Sequence, residues 1–469
     1  MSQLDRHRSG IRWGHKCLFT LVLAAYLAVG LVWLVSNLGD IPDYGDTHVF
    51  LRQARTQEID ATRGILYPRL LAAAPGERSR LVIVQAGQLI ACLAALIYFL
   101  HIFVGPSLRR IATGPMGLRI ALGLLAALLF VDPVVGHYNL AIMTDGLTLS
   151  ACLVFCAAFV ALARGKKSAA AVLLPAHMIA AGLRVEKNVL LLGTALVGVA
   201  AYALWTRGRT ASRPRRRLLV PLMLVCIGFV ASLLIRQVAV NVEPKWGAST
   251  YILHGRIVFP NLEAVYDDLP IQLQSRLTRD AARRADHGMV AGRRLLSNVA
   301  GPDPEAYERL IRDLARIVWR ERKWPLMADV VADAAGNLVP PLVFYTRLTV
   351  GTLTGGDARR GVYRRTLRLY ERLAEGHPRL SRLHVGLAGL LFVWAGVLAL
   401  PQAAVAVWKR TWKPAAAGIL AVGVLAGFCV LNAIAFALVA DLWLPRYTLF
   451  AHVLCVLLVL RGAIRRLGY

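Results

Sequence analysis

Residues 17–38, CLFTLVLAAYLAVGLVWLVSNL, carry no charged side chain, and a helix needs about 20 such apolar residues to cross the hydrocarbon core of a bilayer. Arg6, Arg8, Arg12 and Lys16 precede the run and Asp40 follows it. Basic residues stay in the cytoplasm, so the helix enters from that side. No small-residue cleavage site closes the run, which therefore reads as a retained anchor and not as a removable signal peptide.

Working outward, comparable runs recur near 81–104, 116–131, 144–163, 168–183, 188–206, 218–237, 384–407, 414–438 and 447–460. The fold class expected is an all-α polytopic membrane protein with about ten transmembrane helices. The basic clusters at 109–110, 164–167, 207–217, 409–413 and 461–466 fall in alternate gaps, on the cytoplasmic side. Both termini are then cytoplasmic. Trp205, Trp408, Trp412 and Trp443 stand at the ends of runs, where an amphipathic ring prefers the interface.

Composition excludes a soluble domain. Hydrophobic residues make up 57% of the 469 and charged residues 17%, and the mean hydropathy is +0.54. The 55 Lys and Arg against 27 Asp and Glu give a formal charge of +28. In a soluble chain that excess would point to nucleic acid; here it sits in the cytoplasmic gaps and encodes topology, and no nucleic-acid partner is expected. All seven cysteines lie in apolar runs, so no disulfide framework or zinc knuckle is available. Richness in Ala, Arg and Leu points to a bacterial inner membrane.

Three parts follow: a transmembrane module over 1–237 with a first outer loop at 39–80, a large periplasmic segment over 238–382, and C-terminal transmembrane helices over 383–469. Within the large segment, 304–324 and 362–376 place apolar residues at helical spacing among Arg and Glu, as helices lying on a membrane surface do.

Ionisable groups near the outer ends of spans cost free energy and are the functional candidates. The first outer loop reads Asp40-Ile-Pro-Asp43-Tyr44-Gly45-Asp46-Thr-His48-Val-Phe50-Leu-Arg52-Gln-Ala54, and a Pro/Gly turn with Asp46 as helix cap accounts for the same residues. The second outer loop ends in Met143-Thr144-Asp145-Gly-Leu147, where an acid in the first turn also suits the helix dipole. Arg184, Glu186 and Lys187 crowd the third outer turn, and Arg446-Tyr447 opens the last span. His48 and His137 are outer-loop histidines beside these groups. Taking a sugar from a lipid phosphate needs a base for the acceptor hydroxyl and cations for the departing phosphate. This collection supplies both.

In their order these residues resemble the GT-C superfamily of integral membrane glycosyltransferases, which includes protein mannosyltransferases and the lipid A aminoarabinose transferase. Asp46-Thr-His-Val-Phe50-Leu-Arg-Gln-Ala54 is similar to that superfamily's first Asp-x-x-x-aromatic-x-x-x-Ala motif, and Arg63-Gly64-Ile-Leu-Tyr67-Pro68 to the segment after it. Met143-Thr-Asp145-Gly-Leu147 resembles the second acidic motif, Leu183-Arg184-Val-Glu186 the basic motif, and Pro445-Arg446-Tyr447 the Arg-Tyr that opens a late span. The chain departs from the pattern at Thr47, where a second acid is frequent, and in having fewer late spans.

The resemblance implies a polyprenyl-phosphate-sugar donor, an acceptor hydroxyl on a lipid, glycan or protein, and inversion at the anomeric carbon. It implies Asp46 as general base and Asp145 as a partner that orients the acceptor or Asp46, with Arg184, Lys187, Arg446 and Tyr447 on the donor phosphate. His48, His137, Arg63 and Tyr67 become substrate contacts. No cofactor is certain; Asp40, Asp43 and Asp46 are oxygen ligands suited to a divalent cation. Two other functions use related residues. A ligase or polymerase of the O-antigen type would work through Arg256, Arg276, Arg279, Arg283 and Arg284 of the large segment, and a transporter would need ionisable groups near the midplane, where this chain offers His177.

Overall fold

A computed structural model of the chain describes residues 3–39, 45–59, 64–73, 77–109, 114–206, 212–241, 250, 253–286, 289–338, 377–408, 416–439 and 449–467, of which 3–16, 45–46, 77–80, 212–217, 254, 284–286, 289–291, 398–408, 416–417 and 461–467 are described as backbone alone. The described residues form helices and no strand. After α1 (Gln3–Ser36), the first outer loop contributes α2 (Gly45–Thr56) and α3 (Leu66–Ala73). Then come α4 (Glu77–Phe103), α5 (Gly114–Phe130), α6 (Pro133–Leu140), α7 (Asp145–Ala163), α8 (Ala170–Leu183), α9 (Glu186–Trp205) and α10 (Ser212–Ala239). The hydrophilic segment over 238–382 holds α11 (Arg279–Asp286), α12 (Met289–Ala300) and α13 (Pro304–Leu338), and α14 (Pro378–Trp408), α15 (Ala416–Val439) and α16 (Leu449–Leu467) follow it.

Each apolar run found in the sequence is helical. Among the described residues, seven helices are long and apolar enough to cross a membrane: Cys17–Ser36, Leu81–Phe103, Asp145–Ala163, Glu186–Trp205, Leu218–Ala239, Pro378–Val397 and Gly418–Leu438. An eighth span is available if α5 and α6, bent by 70°, count as one, and Lys167–Leu183 and Leu449–Leu460 are shorter apolar helices.

The bundle is built around α7, whose small and apolar side chains are almost all buried, with α4 and α8 packed on it. Lipid tails are as apolar as leucine, so helices in a bilayer associate through close packing instead of water exclusion. Glycine supplies that closeness where α9 crosses α15: a Cβ on Gly198 would come within 2.6 Å of Val424 Cγ2, and one on Gly423 within 2.9 Å of Ala201. The crossing brings the start of α9, with Lys187, to Asn432 of α15.

A carboxylate organises the bend between α5 and α6. Asp132 caps α6, its Oδ1 accepting from the backbone N–H of Val134 at 3.0 Å and Val135 at 3.2 Å. His452 Nε2 of α16 lies 2.8 Å from the same oxygen, and both side chains are buried. Close by, the His384 ring of α14 packs 5.2 Å from Trp33 and 5.6 Å from Tyr26, and Trp33 Nε1 donates to Ser381 Oγ at 2.8 Å. These contacts tie α1, α14 and α16 to the bend.

The outer segment has its own apolar core, which includes Val258, Phe259, Leu262, Ile311, Leu314 and Val318. The helix expected over 304–324 is the front half of α13, which kinks at Arg322 (φ −127°, ψ 24°) and runs on to Leu338. The expected helix at 362–376 lies outside the described residues. Three arginines of the ligase-type reading are engaged within the segment: Arg256 with Asp333 at 2.6 Å, Arg283 with Glu263 at 2.8 Å, and Arg279 with Asp267.

Candidate functional site

The second acidic motif and the basic motif meet. Asp145 opens α7 behind Thr144, inside a stretch buried without a break from Val131 to Gly146. Arg184 stands between α8 and α9 in an extended conformation (φ −145°, ψ 118°) that turns its side chain out of the helical run. Its guanidinium then reaches three oxygens: Asp145 Oδ1 at 2.7 Å, Thr144 Oγ1 at 3.1 Å and Glu186 Oε1 at 3.2 Å. A planar fork of five donors can do this; an ammonium cannot. The other oxygen of Asp145, Oδ2, is buried and accepts no hydrogen bond.

Lys187 lies one turn further along α9 and is buried, with 5% exposure. Its ammonium donates to Asn432 Oδ1 at 2.7 Å and sits 4.9 Å from the Phe436 ring centre and 5.9 Å from that of Phe428. No carboxylate among the described residues pairs with it directly; its contacts are an amide oxygen and two ring faces, and the Glu186 and Asp145 charges act on it only from a distance. Such a charge is costly unless an anion shares its site. Asp145, Thr148, Cys152, Arg184, Lys187 and Asn432 line a small cleft of about 20 Å³, which Leu449 and Phe450 at the start of α16 also border.

The first acidic motif approaches the same place. Asp46 belongs to the first turn of α2. The next residue, Thr47, is buried and donates from Oγ1 to the carbonyl of Ile142 at 3.3 Å, three residues before Asp145. Phe50, Ala54, Tyr67, Leu71, Ile142 and Leu183 form the apolar cluster that fastens α2 and α3 over the ends of α7 and α8. Gly64 makes this fit possible: a Cβ there would run into the carbonyl of Leu183, directly before Arg184.

Tyr67 is fully buried and donates to Gln88 Oε1 at 3.1 Å. The Gln88 amide in turn donates to the carbonyls of Asn139 at 2.7 Å and Ala141 at 3.1 Å. Burial, then the Asp145 charge, pushes the Tyr67 phenol well above its usual range, so it remains a neutral donor. His48 is exposed on α2, whereas His137 is buried within α6, edge-on to Tyr138 at 5.3 Å. Arg63, Arg446, Tyr447, Asp40 and Asp43 lie outside the described residues, as does the side chain of Asp46. His177 pairs with Asn188 Oδ1 at 2.7 Å between α8 and α9.

Asn432 and the two phenylalanines of α15 escaped the sequence reading. A single polar residue in the otherwise apolar window Gly418–Leu438 is the signal that could have found it. No three His, Cys, Asp or Glu side chains among the described residues gather in a way that could hold a metal ion. Set against family profiles, curated proteins and solved structures, the chain finds no match.

Proposed function

We propose that the protein is a glycosyltransferase of the cell envelope that moves a sugar from a polyprenyl-phosphate donor to a hydroxyl of a lipid, glycan or protein acceptor. The cleft belongs on the periplasmic face of the inner membrane, with both termini in the cytoplasm. The observation that carries this reading is Lys187: a buried ammonium without a carboxylate partner, lining the same cleft as the free oxygen of Asp145. A phosphate is the anion that chemistry fits, and the lipid on it explains a site at the ends of membrane helices.

In this mechanism Asp46 takes the proton of the acceptor hydroxyl, whose oxygen attacks the anomeric carbon. The bond from that carbon to the phosphate oxygen breaks, its electron pair leaves with the polyprenyl phosphate, and the configuration inverts. Lys187, joined by Arg446 and Tyr447, meets the negative charge that grows on the phosphate. Arg184 fixes Asp145 so that Oδ2 accepts a hydrogen bond from the acceptor or the sugar, and Arg63, Tyr67, His48 and His137 complete the surroundings. The phosphate is a good leaving group and needs no paired acid.

The test is release of polyprenyl phosphate by purified, reconstituted protein from a panel of polyprenyl-phosphate sugars. Removing a general base costs roughly 10²–10⁴ in rate, so Asp46→Asn should abolish release while donor binding persists. Turnover by Asp46→Asn at the wild-type rate would refute the base; no release from any donor by the intact protein would refute the reaction.

A further inference from the structure

The pattern of exposure turns over along α13. Before the kink at Arg322, Tyr307, Ile311, Leu314 and Val318 are buried, while Arg309, Arg312 and Arg316 are exposed and paired with acids of the same segment. That is how an amphipathic helix behaves in water. Beyond the kink the exposed face is apolar. Trp324 (75% exposed), Met327, Ala328, Val331 (65%) and Ala335 fall on one side at helical spacing. The side turned to the protein holds Asp333, paired with Arg256, and Asn337, which is buried. The exposed Asp329 is about 140° around the axis from Trp324, off the apolar face.

The surroundings say what covers that face. At the kink the Lys323 ammonium lies 5.8 Å from the Trp319 ring centre and 5.2 Å from that of Trp324, and Trp and Lys gather where lipid headgroups meet water. At the far end, Cys455 Sγ of α16 is 3.6 Å from the Leu338 carbonyl. Cys455 follows Leu449 by six residues, about 9 Å down the helix at 1.5 Å per residue. Between these points α13 packs on α15, whose Val430, Ile434 and Leu438 are themselves exposed.

We infer that the second half of α13 dips into the outer leaflet, with its Trp324–Met327–Val331 face covered by lipid acyl chains and the Trp319–Lys323–Trp324 group at headgroup level. The outer segment is therefore moored in the bilayer beside the helix that carries Asn432. This placement is independent of any reaction in the cleft.

The test attaches a nitroxide to Val331→Cys, and separately to Arg316→Cys, in protein carrying Cys17→Ala and Cys226→Ala and reconstituted in phospholipid vesicles. Collision with oxygen, which dissolves in lipid, is compared with collision with a neutral nickel chelate, which stays in water. The ratio should be several-fold higher at 331 than at 316, and Ala335→Cys should match 331. Nickel-dominated relaxation at 331 and 335 places the face in water and overturns the inference; weak relaxation by both reagents means that protein covers it, and overturns it equally.

Discussion

Asp132 and Asp145 stand near the ends of adjoining helices, each against a basic side chain, and they differ in what remains once their contacts are made. Asp132 Oδ1 accepts from two backbone N–H groups and meets His452, and the cleft it borders is lined otherwise by Tyr26 and apolar side chains such as Ala388, Leu391 and Phe392, with no second charged group. Asp145 gives one oxygen to Arg184 and keeps the other unbonded, in the wall of a cleft that also holds Lys187. A carboxylate whose bonds all run to the fold holds the fold together. One with a buried oxygen to spare carries an unmet cost that a ligand can relieve. Burial and a hydrogen-bonded basic side chain, which both share, do not separate the two roles; the unused oxygen does.

The sharpest way to break this comparison is to truncate both. Asp132→Ala strands the first turn of α6 and leaves His452 without its acceptor, and removing one partner of a buried pair costs about 3–5 kcal/mol. It should give the largest drop in thermal stability, followed by size-exclusion chromatography of heated, detergent-solubilised protein. Asp145→Asn keeps the shape and should move stability far less while reducing release of polyprenyl phosphate by about 10² or more. If Asp145→Asn unfolds the protein and Asp132→Ala leaves it intact and inactive, the roles are exchanged.

Lys187→Met removes the charge and keeps the length. With the ammonium gone, loss of one contact to the developing phosphate charge should lower the rate by about 10², and the isolated protein should be no less stable, because a buried charge held by dipoles is not a stabilising element. A fall in stability with release unchanged would make Lys187 part of the packing. Gly198→Ala acts on the scaffold beneath it. The added methyl presses on Val424 and should cost about 1–3 kcal/mol, spreading α9 from α15 and Lys187 from Asn432.

The apolar helices were readable because each apolar run sets its own length, a property of neighbouring residues. Asp145 and Arg184 were readable for the same reason: each stands at the outer end of a run, and consecutive outer turns lie together. Asp132 was passed over because nothing in Val131-Asp132-Pro133 announces that a histidine 320 residues later in the chain will share its cap. Asn432 was hidden inside a span, where hydropathy averages it away. The second half of α13, beyond the helix expected over 304–324, was not read at all: periodicity registers that apolar and polar residues take opposite faces, but not which face meets the protein. That choice belongs to tertiary packing, so surface and immersed helices look alike in one dimension.

Arg184→Lys asks the smallest and most discriminating question of the comparison, since charge is retained and only the fork is lost. Lysine reaches one of the three oxygens that arginine holds at Asp145, Thr144 and Glu186. Asp145 keeps a counterion but loses a fixed direction, so its unbonded Oδ2 is no longer held in one place. Misplacing an orienting group without deleting it should cost about tenfold in release, with the maximal rate affected more than the donor concentration needed to reach half of it. Should the apparent donor affinity fall and the maximal rate hold, Arg184 touches the donor phosphate itself, and Asp145 would then be its anchor and not the group it positions.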